Sequence, residues 1–219
     1  SNIRQISTAA KGYQEDIKSR MPLTLSFPRG SAPSQFFPAG TEEGWCTWSF
    51  GGKNNGRRWA GMAFDVEAAD RPLNAYVTEN QIDAPVMPGR LAATDAARVN
   101  FDLPVFRDPG DKMGHQQVWP GDNPDNSTCY DDVGTSYQFN VKWWEDPSIR
   151  SLPFARRFSV GCARMAQADT WAPSRFVWVH DEAADIVVNA TNPNFRYKNG
   201  FDDYNRSVMG FMDGHAKYN

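Results

Sequence analysis

Six aspartates fall in the stretch 105–137: Asp108, Asp111, Asp122, Asp125, Asp131 and Asp132, interspersed with proline and glycine. Carboxylates on an irregular loop are the ligands a Ca²⁺ ion takes, roughly six to eight oxygens from side chains and backbone carbonyls. Asp108, Asp111, Asp131 and Asp132 are the candidate ligands, and Ca²⁺ is the one cofactor the sequence suggests. No EF-hand spacing is present, and a solvated acidic loop is the competing reading. A loop this long inside a domain is commonly functional or pinned by a metal.

Other chemistry finds less support. A Ser-His-Asp site would need His115, His180 or His215, yet no GxSxG elbow occurs. Gly51-Gly52-Lys53 fails the phosphate-loop spacing, because Thr47 stands where the first glycine belongs. Asp181 and Glu182 follow His180, but neighbours on a strand point to opposite faces, which favours a polar cluster at a strand end over a metal site. Cys46, Cys129 and Cys162 form no CxxC pair, leaving one disulfide plus a thiol, or three thiols. Trp45, Trp48, Trp59, Trp143 and Trp144 offer either a sugar-stacking platform or core and loop anchors. The sequence therefore predicts no enzyme.

The bulk properties narrow the classes further. A chain of 219 residues suits a single domain, and a net charge of −3 without a Lys/Arg cluster excludes a nucleic-acid footprint. Mean hydropathy is −0.62, yet the chain carries 8 Trp and 14 Phe. That combination predicts a thin sheet-based core under long polar loops. No apolar run approaches the roughly 18 residues of a membrane span. The chain opens Ser1-Asn2-Ile3 without an initiator methionine, as a fragment or processed product would. Asn126, Asn189 and Asn205 lie in N-x-[ST] sequons.

The elements that must position these residues follow from periodicity. Ile3, Ile6, Ala10, Tyr13 and Ile17 recur at spacings of three and four, predicting a helix over 3–19 that ends before Pro22. Residues 23–27 form a strand candidate, 45–50 belong to a hairpin-bearing excursion, and 92–99 suggest a helix. Strands are expected over 135–144, 158–165, 175–180, 207–212 and 215–218. In the third of these, Phe176, Trp178 and His180 would share one face. Asp213-Gly214 is a strong hairpin signal, with both turn residues expected at positive φ. The predicted fold is α+β: an N-terminal helix packed on an antiparallel sheet with long decorated loops, in one domain over 1–219.

Several segments, in order along the chain, resemble the bacterial type IV pilin-like family that carries a prepilin methylation signal and a C-terminal "H-x9-DG" signature. Ser1-Asn-Ile-Arg-Gln-Ile6 with Tyr13, Arg71-Pro-Leu-Asn-Ala-Tyr76, Val105-Phe-Arg-Asp-Pro-Gly-Asp111, Thr135-Ser-Tyr-Gln-Phe-Asn140, the strand from Phe176 to Asp185 and the closing Val208 to Tyr218 carry the resemblance. Two positions depart from it: Asp108 replaces a cysteine, and Asp203 stands where the signature histidine would precede Asp213-Gly214. The resemblance implies a pilin-like fold in which residues 1–20 are the C-terminal half of the pilin helix and 21–219 the sheet and loops. It also implies a structural subunit of a type IV pilus or type II secretion pseudopilus. The expected partners are other pilin or pseudopilin subunits, a prepilin peptidase acting on the precursor, and the inner membrane, reached through an upstream apolar helix. The subunit would face the periplasm or join an extracellular filament. Related pseudopilins hold Ca²⁺ on a loop, which bears on the aspartates above. The competing class is a secreted or surface binding module that uses the Trp-rich loops for glycans.

Overall fold

The computed structural model describes residues 2–17, 21–23, 25–26, 44–60, 64–78, 91–112 and 127–219. Its elements, in chain order, are α1 (Asn2–Asp16), β1 (Leu25–Ser26), β2 (Gly44–Trp45), α2 (Asn74–Val77), α3 (Ala97–Asn100), α4 (Cys129–Val133), β3 (Tyr137–Phe139), α5 (Phe154–Trp171), β4 (Val177–Asp181), α6 (Glu182–Asn189), β5 (Val208–Phe211) and β6 (Ala216–Tyr218). Short 3-10 turns join several of them, including Pro104–Phe106, Val141–Trp143 and Pro173–Arg175. β1 and β2 form an antiparallel pair, and β3-β4-β5-β6 form a four-stranded antiparallel sheet in that order. The architecture is α+β.

The apolar spacing at the N-terminus produces the helix it predicts. Ile3, Ile6 and Ala10 are completely buried, and α1 lies across β4, β5 and β6. Burying each isoleucine contributes roughly 1.5–3 kcal/mol over leaving it in water. The contact is close because β5 carries Gly210 at the crossing. A Cβ there would sit 2.3 Å from the Ser7 hydroxyl and 3.2 Å from Cγ1 of Ile3. Tyr13, half-buried, meets Tyr76 edge-on at 5.9 Å, and Lys11 pairs with Asp169 of α5 at 2.7 Å. The helix ends at Asp16, short of the expected 19, and Ile17 stands 41% exposed.

Behind the sheet, Phe50, Phe106, Tyr137, Phe139, Trp144 and Trp178 complete the main core. A second cluster holds Cys46, Trp48, Trp59, Phe64, Val66, Cys129 and Val133. Buried polar side chains hold the two together. Arg71 donates to the carbonyls of Val66, Trp48 and Gly51 and to Oδ1 of Asn55. Burial holds its pKa down at about 10. Asn74 exchanges hydrogen bonds with both backbone groups of Gly52 and donates to the Ala68 carbonyl. Arg98 and Asp65 form a fully buried ion pair at 2.8 Å. All three cysteines are thiols.

The structure corrects five local expectations. The strand expected over 135–144 is only β3, which gives way after Phe139 to the 3-10 turn Val141–Trp143. Residues 158–165 are not a strand but the middle of α5. Phe158, Cys162, Met165 and Ala168 pack inward at helical spacing, and the element is far longer than an average strand. The helix expected at 92–99 is reduced to the single turn α3. In β4, Val177 pairs with Phe211 and Val179 with Gly210, so a bulge at Trp178 breaks the alternation. Trp178 and Val179 are both completely buried. The terminal hairpin also turns differently. Gly214 N–H donates to the Phe211 carbonyl and Phe211 N–H to that of His215, and only Gly214 of the turn pair has positive φ, at 87°. Met212, Asp213 and Gly214 thus make a three-residue loop with a glycine bulge, where a two-residue mirror turn was expected.

Candidate functional site

The loop aspartates divide between two places. Thr128 caps α4, its hydroxyl oxygen accepting from Asp131 N–H, and both acidic residues behind it meet cations. Asp131 receives the Lys53 ammonium at 2.6 Å. Asp132, buried, takes a two-pronged bond from Arg58 and a third from Trp59 Nε1 at 2.8 Å. Against the upward pull of burial, Lys53 holds Asp131 below the ordinary carboxylate value.

Asp108 and Asp111 instead line a cavity of about 40 Å³ with Asp181, Glu182, Ser136, Tyr197 and Asn199. That is room for a water molecule or a small ion. Asp111 accepts from the N–H groups of Cys129 and Tyr130, at the buried start of α4, and from the Ser136 hydroxyl at 2.6 Å. Asp108 accepts from Gly110 N–H at 2.7 Å. Asp181 is the N-cap of α6, accepting from Ala184 N–H, and also takes the Ser207 hydroxyl and Val208 N–H. One carboxylate therefore ties β4, α6 and β5 together. Gln138 donates to Glu182.

The electrostatics follow from burial. Desolvation pushes the pKa of Asp108, Asp111 and Asp181 above the ordinary value, and the donors around each only partly offset it. Burial, reinforced by these carboxylates, pushes Tyr197 up to about 12 and the Cys129 thiol well above its usual value. A thiol in that state is a packing group and not a nucleophile.

Of the four candidate Ca²⁺ ligands, the structure thus brings Asp108 and Asp111 together and commits Asp131 and Asp132 to cations elsewhere. Among the described residues no three His, Cys, Asp or Glu side chains form a metal-holding group. Asp122, Asp125 and His115 lie outside the described residues. His180 is buried with Nδ1 at 2.8 Å from the Asp181 carbonyl oxygen, and His215 stacks on Phe211 at 4.2 Å beside Asp213.

Among the positions singled out by resemblance, Asp203 accepts from the Tyr218 hydroxyl at 2.8 Å, and Asp213 accepts from His215 N–H in the terminal turn. Ile3, Ile6 and Ala10 are spent on the chain's own sheet, and Ile17 is the exposed member of the stripe. Trp48, Trp59, Trp143 and Trp144 are buried and form no exposed platform; the Trp45 side chain lies outside what is described.

Sequence reasoning passed over Asp181 as a cap. The signal was present, since an aspartate stands directly before the helix-forming run Glu182-Ala-Ala-Asp-Ile186. Ser136, Tyr197 and Asn199 gave none, because their place in the cavity depends on how distant loops meet. Comparison with protein-family models, with curated proteins and with solved structures finds no match to this chain.

Proposed function

We propose that this chain is a pilin-like structural subunit of a type IV filament or a type II secretion pseudopilus, and that it works by association and not by catalysis. The observation that supports the reading best is the order and packing of the parts. An N-terminal helix is fixed by Ile3, Ile6 and Ala10 across an antiparallel sheet, and that sheet closes in a C-terminal Asp-Gly hairpin. The segments that resemble the family also hold one another. Between the 105–111 and 135–140 segments, Ser136 N–H donates to the Phe106 carbonyl and Asp108 N–H donates to the Ser136 hydroxyl.

In this reading the partners are further subunits of the same kind, and a prepilin peptidase processes the precursor. The subunit is held in the inner membrane, facing the periplasm, by an apolar helix upstream of Ser1 and later joins the filament. No helix among the described residues is long and apolar enough to cross a membrane.

The test is the coding sequence before Ser1. A basic leader, a small-residue cleavage site and about twenty apolar residues running into Ser1-Asn2-Ile3 are expected. A start codon, a cleavable signal peptide or another folded domain at that junction overturns the reading.

A further inference from the structure

At the flank of the sheet, three successive elements bring cations to one place. Lys142 comes from the 3-10 turn after β3, Arg164 from α5 and Arg175 from the turn that leads into β4. Together with Asn140, Trp143, Phe176 and Val177 they line an open cavity of about 380 Å³, within the roughly 300–1,000 Å³ range of small-molecule sites. No carboxylate lines it.

The wall is built and not incidental. Asn140 fixes the first turn, its side chain accepting from Lys142 N–H and donating to the Val177 carbonyl. Arg164 donates to the Ser148 hydroxyl at 3.3 Å and stands 3.7 Å from Asp146, which holds it at the rim without a tight ion pair. Among the described residues, the Arg175 guanidinium meets no carboxylate. The apolar side is the Trp143–Phe176 pair, whose ring centres lie 5.8 Å apart; Trp143 is nearly buried and Phe176 keeps 38% of its surface exposed.

Guanidinium groups that reach solvent, as exposed Arg175 and half-buried Arg164 do, suit an oxyanion, which they grip with paired N–H donors, and an exposed aromatic ring suits the C–H face of a sugar. We propose that this cavity binds a sugar carrying a carboxylate, that is, a uronate-containing glycan. Arg164 and Arg175 hold the carboxylate and Phe176 carries the ring. The proposal does not depend on whether the chain is a filament subunit.

The probe is a uronate trisaccharide, titrated calorimetrically against the intact chain, with a neutral trisaccharide and inorganic sulfate as separate arms. Saturable binding of the uronate is expected, weakening as salt is raised. Little binding of the neutral sugar is expected. Arg175→Ala and Arg164→Ala should each weaken the uronate by about tenfold or more, since a hydrogen bond to a charged group is worth that much. Arg175→Lys should fall between, and Arg150→Ala, an exposed cation outside the cavity, should change nothing. Far-UV circular dichroism checks that the variants stay folded; Arg175 is exposed and Arg164 half-buried at the rim, so the fold is expected to survive. Equal binding of uronate and neutral sugar overturns the proposal, as does sulfate binding as tightly as the uronate. No uronate binding, or affinity unmoved in both arginine variants, overturns it as well.

Discussion

The seat of α1 on the sheet can be tested with two small substitutions. Gly210→Ala places a methyl group 2.3 Å from the Ser7 hydroxyl oxygen, well inside the 3.4 Å at which ordinary contact begins, and 3.2 Å from Cγ1 of Ile3. Overpacking of this kind costs about 1–3 kcal/mol. Ser7 is itself completely buried and its hydroxyl has no hydrogen-bond partner. Such a group carries a desolvation penalty of about 1–3 kcal/mol, so Ser7→Ala alone should stabilise the fold by about 1 kcal/mol. The two changes are coupled, because the atom the new methyl strikes is the one Ser7→Ala removes. In the Ser7→Ala background the cost of Gly210→Ala should shrink to what Ile3 imposes. The double variant should then be more stable than the sum of the singles by about 1 kcal/mol. Urea denaturation gives the free energies by linear extrapolation, and thermal melts should follow at about 2–4 °C per kcal/mol. If Gly210→Ala costs the same in both backgrounds, or nothing in either, then α1 is not seated on Gly210 and the helix-on-sheet contact described above is wrong.

Asp181→Ala should destabilise by about 2–4 kcal/mol in chemical denaturation, since it removes the cap of α6 and leaves the Ser207 hydroxyl and Val208 N–H without their acceptor. Asp181→Asn, which keeps an acceptor oxygen, should cost less. Asp132→Ala should cost about 3 kcal/mol, because it strands Arg58 and the buried Trp59 N–H, and a melting temperature unchanged from the parent would refute that role. Asp108 tests the electrostatics. Burial raises its pKa in the folded state, so the folded protein binds the proton more tightly than the unfolded chain does. Its contribution is fully present below the ordinary value of 3.8 and is lost as pH rises through the raised value. Asp108→Asn mimics the protonated form, so at pH 7 the variant should be the more stable of the two, with the gap closing as pH falls towards 4. A gap that is constant with pH, or widens in acid, refutes the assignment.

How much of this was legible in the sequence depended on how local the cause was. The N-terminal helix was, because Ile3, Ile6 and Ala10 need only their own spacing and one apolar surface to lie on. The terminal hairpin was too, because Asp213-Gly214 demands a turn within a few residues. Its turn type was not. Whether two or three residues make the loop depends on register, and here the register is set by Gly210 pairing with Ala216 under the weight of α1. The error over 158–165 had the opposite origin: a short apolar run fits either period, and only the length of the element separates strand from helix. The bulge at Trp178 needed knowledge of the partner strand, which periodicity along one strand cannot supply.

The aspartates show the same division. Their type suggested oxygen chemistry, but carboxylates serve cations, helix starts and metals alike, and what decides among these is what else the fold brings near. Lys53 and Arg58, more than seventy residues upstream, claimed Asp131 and Asp132. Asp108 and Asp111 met Asp181 because Ser136 and the start of α4 hold the loop against the end of β4. The basic cavity on the other flank follows the same rule. Lys142, Arg164 and Arg175 look like scattered surface charge in the sequence, and become a candidate site only because two 3-10 turns and α5 converge there. Where a site is assembled from turns and loops in this way, the side chains that fix the turns matter as much as those that face the ligand, and at the basic cavity that side chain is Asn140, which holds the Lys142 turn to the Val177 carbonyl.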